Sequence, residues 1–248
     1  ALVLGVGCAS GAKVTPNNPE AEAALEAAIR KAAGKLTGKL TGEDYGKVKW
    51  LTFRCNQLPD LKGLKKLTQL TYLEISGLDH EGRDIPNKLT KVPKGLEKLT
   101  QLTKLNLTSN QLTDVKGLEK LTQLTTLHLT SNQLTEVSKG LEMLTQIKNL
   151  SLHSNQLTEI SRGLKMLTQL NVLWLNHNKL TNVKELEKFT QLEHLDLNGN
   201  QLTDVKGLEK LTQLTYLDLR DNPDLTKAQI AELQKALPKC TIFSNPAK

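Results

Sequence analysis

"NQLTDVKGLEKLTQLT" stands at Asn110–Thr125 and again, letter for letter, at Asn200–Thr215. Sixteen consecutive residues do not recur by chance in a chain of 248, so the chain is built from copies of one unit. A repeat of this kind restricts the fold to units that stack on one another. The pattern L-x-x-L-x-L-x-x-N-x-L fits Val48–Leu58, Leu102–Leu112, Leu124–Leu134, Ile147–Leu157, Leu170–Leu180 and Leu192–Leu202. It begins again at Leu214, where Pro223 breaks it after Asn222, and at Leu70, where no asparagine arrives on schedule. The pattern asparagines are Asn56, Asn110, Asn132, Asn155, Asn178, Asn200 and Asn222, and from Asn110 onward their spacings are 22, 23, 23, 22 and 22.

Each position has a physical task. The L-x-L core alternates with a period of two, which is a short strand with leucines facing inward. The asparagine sits where the chain leaves the strand, and its amide can bond backbone groups that the turn would orphan. In register, these side chains form a ladder. Leu112, Val115, Leu118, Leu121 and Leu124 are then three apart, a period that suits a 3₁₀ or extended turn better than an α-helix. The 23-residue copies insert one residue after the valine, as in "EVSKGLEML" beside "DVKGLEKL". These features predict an α/β leucine-rich-repeat solenoid, with a parallel sheet on the concave face and short 3₁₀ or turn segments on the convex face. Strands are expected near 50–53, 72–75, 104–107, 126–129, 149–152, 172–175, 194–197 and 216–219.

A solenoid needs lids, because its cut ends would expose leucines. "NPEAEAALEAAIRKAAG" lies outside the repeat and reads as an amphipathic helix over 19–33, with Asn18 as cap, Pro19 in the first position and Gly34 at the stop. "LTKAQIAELQKALPKC" starts with a capping box, Thr226 and Gln229, and carries Ile230, Leu233 and Leu237 on one stripe of a helix over 226–237. "CTIF" can supply a closing strand. The organisation is then a signal-peptide remnant at 1–12, a linker and helical cap at 13–47, eight repeats at 48–222 with an insertion at 78–86, and a helical cap and tail at 223–248.

With "GLEKLTQLTxLxLxxNQLT" at its core and a helix before the first repeat, the stretch Pro19–Phe243 resembles the bacterial leucine-rich-repeat proteins of the internalin-like type. The resemblance implies protein–protein recognition through the concave face, at or outside the cell envelope. Two features depart from that pattern: Leu78 stands where an asparagine is expected, and 23-residue copies are interleaved with the 22s.

The net charge of +7 raises the question of nucleic acid. Most lysines, however, fall in convex segments such as "KGLKKL" and "KELEKF" with glutamate close by. On the concave strands Arg54, Lys104 and Arg220 face Glu74, Asp196 and Asp218, so the signs cancel. Nucleic acid requires a clustered basic stripe, and none is formed. "ALVLGVGCASGA" at the start is too short to span a membrane. It reads as the tail of a secretory signal, cleaved after Ala12 or placing Cys8 as a lipid-modified first residue. Either route implies export to the periplasm, cell surface or medium, with a lipid anchor as the one membrane contact. Cys55 and Cys240 belong to opposite ends of the array, roughly 30 Å or more apart, beyond disulfide reach.

Catalytic signatures are absent. "GKLTGKLTG" at Gly34–Gly42 is one residue short of a phosphate loop and places Leu40 where a magnesium ligand is needed. His80–Glu81 lacks a second histidine at helical spacing, so no metal site is expected. No enzyme activity, cofactor or metal is predicted.

The informative positions are the outward strand residues, on which the repeat imposes nothing. Trp50, Tyr72, Lys104, His128, His153, Trp174, His194, Asp196, Tyr216, Asp218 and Arg220 are the candidate partner-binding residues. They include both tryptophans and two of the three tyrosines of the chain. Aromatics gathered on a concave face suit anchors for a partner. The primary expectation is a monomeric, non-catalytic scaffold binding a protein. A glycan or peptidoglycan binder stacking Trp50, Tyr72, Trp174 and Tyr216 on sugar rings is the alternative, and an intracellular regulatory subunit is the third.

Overall fold

The computed structural model describes residues 19–53, 63–76 and 89–245. Cys8, Arg54, Cys55, Asn56 and the 78–86 insertion lie outside these residues. Nine parallel strands form one sheet in strict chain order. They are β1 (Trp50–Phe53), β2 (Tyr72–Ile75), β3 (Lys104–Asn106), β4 (Thr126–His128), β5 (Asn149–Ser151), β6 (Val172–Trp174), β7 (His194–Asp196), β8 (Tyr216–Asp218) and β9 (Thr241–Phe243). The eight repeat strands stand where the period-two leucines place them, and "CTIF" does close the sheet.

The register explains the core. Leu51, Leu73, Leu105, Leu127, Leu150, Leu173, Leu195 and Leu217 pair in sequence across the sheet, and every one is buried. A second row, Leu118, Leu141, Leu164, Leu186 and Leu208, is buried from the convex side. Each such side chain contributes about 1.5–3 kcal/mol only when its neighbour repeat covers it, so the repeats stand or fall as an array. The convex segments are 3₁₀ turns at Leu64–Lys66, Leu96–Lys98, Leu164–Met166, Lys184–Lys188 and Leu208–Lys210, as the three-residue spacing predicts. The 23-residue copy at Ser138–Leu141 forms one α-turn, α3.

Three glutamates of the "KGLEKL" segments have a structural task that composition hides. Gly95, Gly117 and Gly207 adopt φ of 95–102°, and their N–H groups each donate to the carboxylate two residues on, Glu97, Glu119 or Glu209, at 2.7 Å. Glycine is required at Gly207, where a Cβ would stand 2.7 Å from the Lys184 carbonyl oxygen of the preceding segment.

Both ends are closed. Helix α1 (Pro19–Ala33) buries Leu25, Ala28 and Ile29, and Gly63 of the first convex segment packs close to Leu25. "GKLTGKLTG" turns through Gly34 and Gly38, both with positive φ, into a second short helix, α2 (Gly42–Lys47). Thr41 and Asp44 form its capping box, and Lys35 holds Asp44 at 2.8 Å. The other lid is α4 (Lys227–Ala236), with the Thr226–Gln229 capping box in place and Leu233 and Leu237 buried. Cys240 is a free, buried thiol whose pKa burial pushes up to about 11. Among the described residues no helix is long and apolar enough to cross a membrane.

Candidate partner-binding face

The asparagine ladder fixes the edge of the concave face. Asn132 is buried, and its Nδ2 donates to the carbonyls of Leu129 at 3.0 Å, Thr130 at 3.1 Å and Leu107 of the previous strand at 3.0 Å. Its Oδ1 accepts the Leu112 N–H at 2.9 Å. Asn155, Asn178, Asn200 and Asn222 repeat this set of four bonds. Asn110 makes the three donor bonds, reaching back to Ile75 of β2. The residue before each rung is left-handed: Ser109, Ser131, Ser154, His177, Gly199 and Asp221 have φ of 51–64°. Only one is glycine, so five rungs hold a conformation that costs roughly 1 kcal/mol or more per residue.

On this frame the outward strand side chains form two aromatic groups. Trp50 and Tyr72, neighbours in register, stack with centroids 4.8 Å apart, and Trp50 is 60% exposed. The Tyr72 hydroxyl donates to Glu74 at 2.8 Å, and burial together with that bond raises its pKa. At the other end His194 lies flat on Tyr216, with centroids 4.1 Å apart. Trp174 tilts against His194 at 5.8 Å and against His128 at 6.4 Å, while Phe243 of β9 extends the row beyond Tyr216 at 5.2 Å. The face therefore carries an aromatic row from β4 to β9.

Trp174 is less open than its strand neighbours would make it. Its lateral neighbours are indeed small or polar, Ser151 and Asp196. The indole is nevertheless half-buried, because His128 reaches it from two strands away over the buried Ser151. Asp218 is likewise buried, fixed by the Arg220 guanidinium, whose Nε lies 3.0 Å from Oδ1. Burial pushes the Asp218 carboxyl up, but the bonds from Arg220 outweigh it and leave the pKa below the ordinary value. These two residues are bound to each other, whereas Lys104 is exposed. His128 and His194 titrate below the ordinary histidine value, chiefly because burial disfavours the imidazolium.

A cavity of about 600 Å³ opens on the concave face between His128 and Trp174. His153 and Asp196 line it with Thr130, Ser151 and Asn176, the last three of which were not among the residues singled out from sequence. Their signal was weak: small polar residues at outward positions read as filler until the strands are placed side by side. No cluster of three or more His, Cys, Asp or Glu that could hold a metal occurs among the described residues.

Two family profiles match this chain. The profile described as "Leucine Rich repeats (2 copies)" covers residues 100–142 and 190–235, and that described as "Leucine rich repeat" covers 122–180 and 145–202. Together they run without a gap from 100 to 235, more than half of the chain. Among solved structures, internalin C2 of Listeria monocytogenes superposes with a TM-score of 0.63 at 29% identity, over 78% of this chain and 91% of that one. The chain is an internalin-like leucine-rich-repeat protein. A leucine-rich-repeat protein of Leptospira interrogans is similar to this internalin-like chain at 29% identity and a TM-score of 0.64, over 91% of this chain and 63% of that one. No curated protein matches it. The repeats and the internalin-like neighbours support a protein-interaction scaffold in general.

Proposed function

We propose that this internalin-like protein is a non-catalytic, monomeric recognition scaffold of the bacterial cell envelope that binds a protein partner through its concave face. One observation carries the reading. Trp50, Tyr72, Trp174, Tyr216 and Phe243 all stand on the concave strands, while Phe189, the aromatic of the described convex segments, is fully buried in the core. An aromatic row lining a curved, rigid sheet suits a partner surface, because rings supply large contact area at low entropic cost. The flat pairing of His194 on Tyr216 and of Trp50 on Tyr72 turns ring faces toward one another, which favours a protein contact over a sugar ring. Export, with Cys8 lipidated or the segment before residue 13 removed, places the face outside the cytoplasm.

The test is photo-crosslinking of the full chain against envelope proteins and against envelope glycans. A crosslinking amino acid at Lys104, exposed on the concave face, should capture a discrete protein. The same group at Lys120, exposed on the convex face, should capture none. Capture from position 120 alone would overturn the concave assignment, and capture of glycan from position 104 would replace the protein partner.

A further inference from the structure

We infer that the cavity between His128 and Trp174 seats a single cationic side chain, arginine or lysine, presented by the protein partner. This rests on the concave-face reading above and adds the chemistry of one contact. Asp196 is the one carboxylate lining the cavity, and no lysine or arginine lines it. Its Oδ1 accepts the Asn198 N–H at 3.0 Å, and it has no ion-pair partner among the described residues. The neighbouring carboxylate, Asp218, is by contrast saturated by Arg220. Burial holds the Asp196 carboxyl above its ordinary pKa. His194 and His177 favour the anion and Asp218 opposes it, but burial outweighs them, so a bound cation would stabilise the charged form.

Two further groups ask for the same ligand. Asn176 lines the cavity, and its buried Oδ1 has no hydrogen-bond partner. Guanidinium and ammonium groups carry only donors. The third group is the indole of Trp174. His128 and His194 meet it at 32° and 56°, tilted rather than stacked, so neither imidazole lies flat on the ring. An indole attracts a cation at about 6 Å or less from its centroid. A carboxylate, an orphan acceptor and an indole converge on one space, and each is satisfied by a positive donor. An anionic ligand would meet Asp196 unscreened.

The experiment uses the full chain carrying Trp50→Phe, which leaves Trp174 as the single indole. Its emission is followed during titration with Nα-acetyl-arginine amide, Nα-acetyl-lysine amide and chitotriose as the neutral saccharide. The cationic probes should give a saturable change in the millimolar range. Asp196→Asn, which keeps the shape and removes the charge, should weaken them at least tenfold without lowering the melting temperature. Failure of both cationic probes to saturate by about 50 mM, equal binding to the Asp196→Asn variant, or tighter binding of chitotriose would each overturn the inference. If the probes fail while crosslinking from position 104 still captures a protein, the cation site falls and the recognition scaffold stands. If the probes bind but that capture fails, the reverse holds.

Discussion

Asn132 shows what one side chain does when a repeat places it identically many times. It supplies three donor bonds and accepts one, and two of the four join it to the preceding repeat. Asn132→Ala would leave buried carbonyls and the Leu112 N–H unpaired, so a loss of about 1–3 kcal/mol is expected in urea denaturation. A variant melting with the parent would show the ladder to be ornamental. The need for an asparagine there was legible in the sequence, since its spacing coincides with the strand exit. The bond to the strand before was not, because it depends on how closely repeats stack. Trp174 teaches the same limit in the other direction. Sequence register compares a strand with its immediate neighbours, and both neighbours of Trp174 are small or polar. His128, two strands away, covers the ring in part because Ser151 between them is small. Trp174→Ala should therefore cost stability on the order of 1 kcal/mol through its two imidazole contacts. Partner affinity should fall by about 2 kcal/mol or more. Paired melting and binding measurements check both, and an unchanged affinity would remove Trp174 from the interface.

At the level of elements, the strands were legible because alternation of leucine is a strong local signal, and α4 because its capping box uses the usual Thr and Gln. Helix α2 was missed because its box closes with Asp44 in place of Glu or Gln, over only six residues. The three-residue spacing gives 3₁₀ or extended turns on the convex side, which holds except at α3, but the glutamates there read only as charge balance for lysine. In the structure they terminate left-handed glycines. Glu119→Ala should thus destabilise the array by about 1 kcal/mol through the unpaired Gly117 N–H. Glu142→Ala, at the exposed position just after α3, for which no such bond is seen among the described residues, should change little. Equal effects in thermal melts would return Glu119 to the role of a solvated charge.

For the whole molecule, the concave face makes stability depend on acidity. Burial favours neutral His128 and His194 in the fold, so the unfolded chain takes up protons first as pH falls. The contribution is therefore fully present above about pH 6.5 and is lost as pH falls from there through the folded-state values. Glu74 and Lys104 act on His128 in opposite senses, and Asp196 and Asp218 partly support the His194 imidazolium. Asp196, held high by burial, returns some stability as it protonates, while Asp44, held low by Lys35, loses its contribution only below the ordinary carboxylate range. The melting temperature should drop between pH 7 and pH 5.5, and a His128→Gln, His194→Gln double variant should flatten that drop. A flat profile for the parent chain would show that the imidazoles carry no net cost.

The ladder also bears on heredity. Because Asn132 to Asn222 make the same bonds to the preceding repeat, and because the strings at Asn110 and Asn200 are identical, an in-frame deletion of residues 110–199 would rejoin the array in register. The join would set Asn200 directly after Ser109, in the position from which Asn110 now reaches the Ile75 carbonyl. Four strands, β4 to β7, would vanish without a broken bond type, leaving five that keep Trp50, Tyr72 and Tyr216 but lose the cavity. Such a chain should still melt cooperatively, at a lower temperature, and should not respond to arginine probes. Array length is then a quantity that one in-frame deletion can change, and the cavity with it.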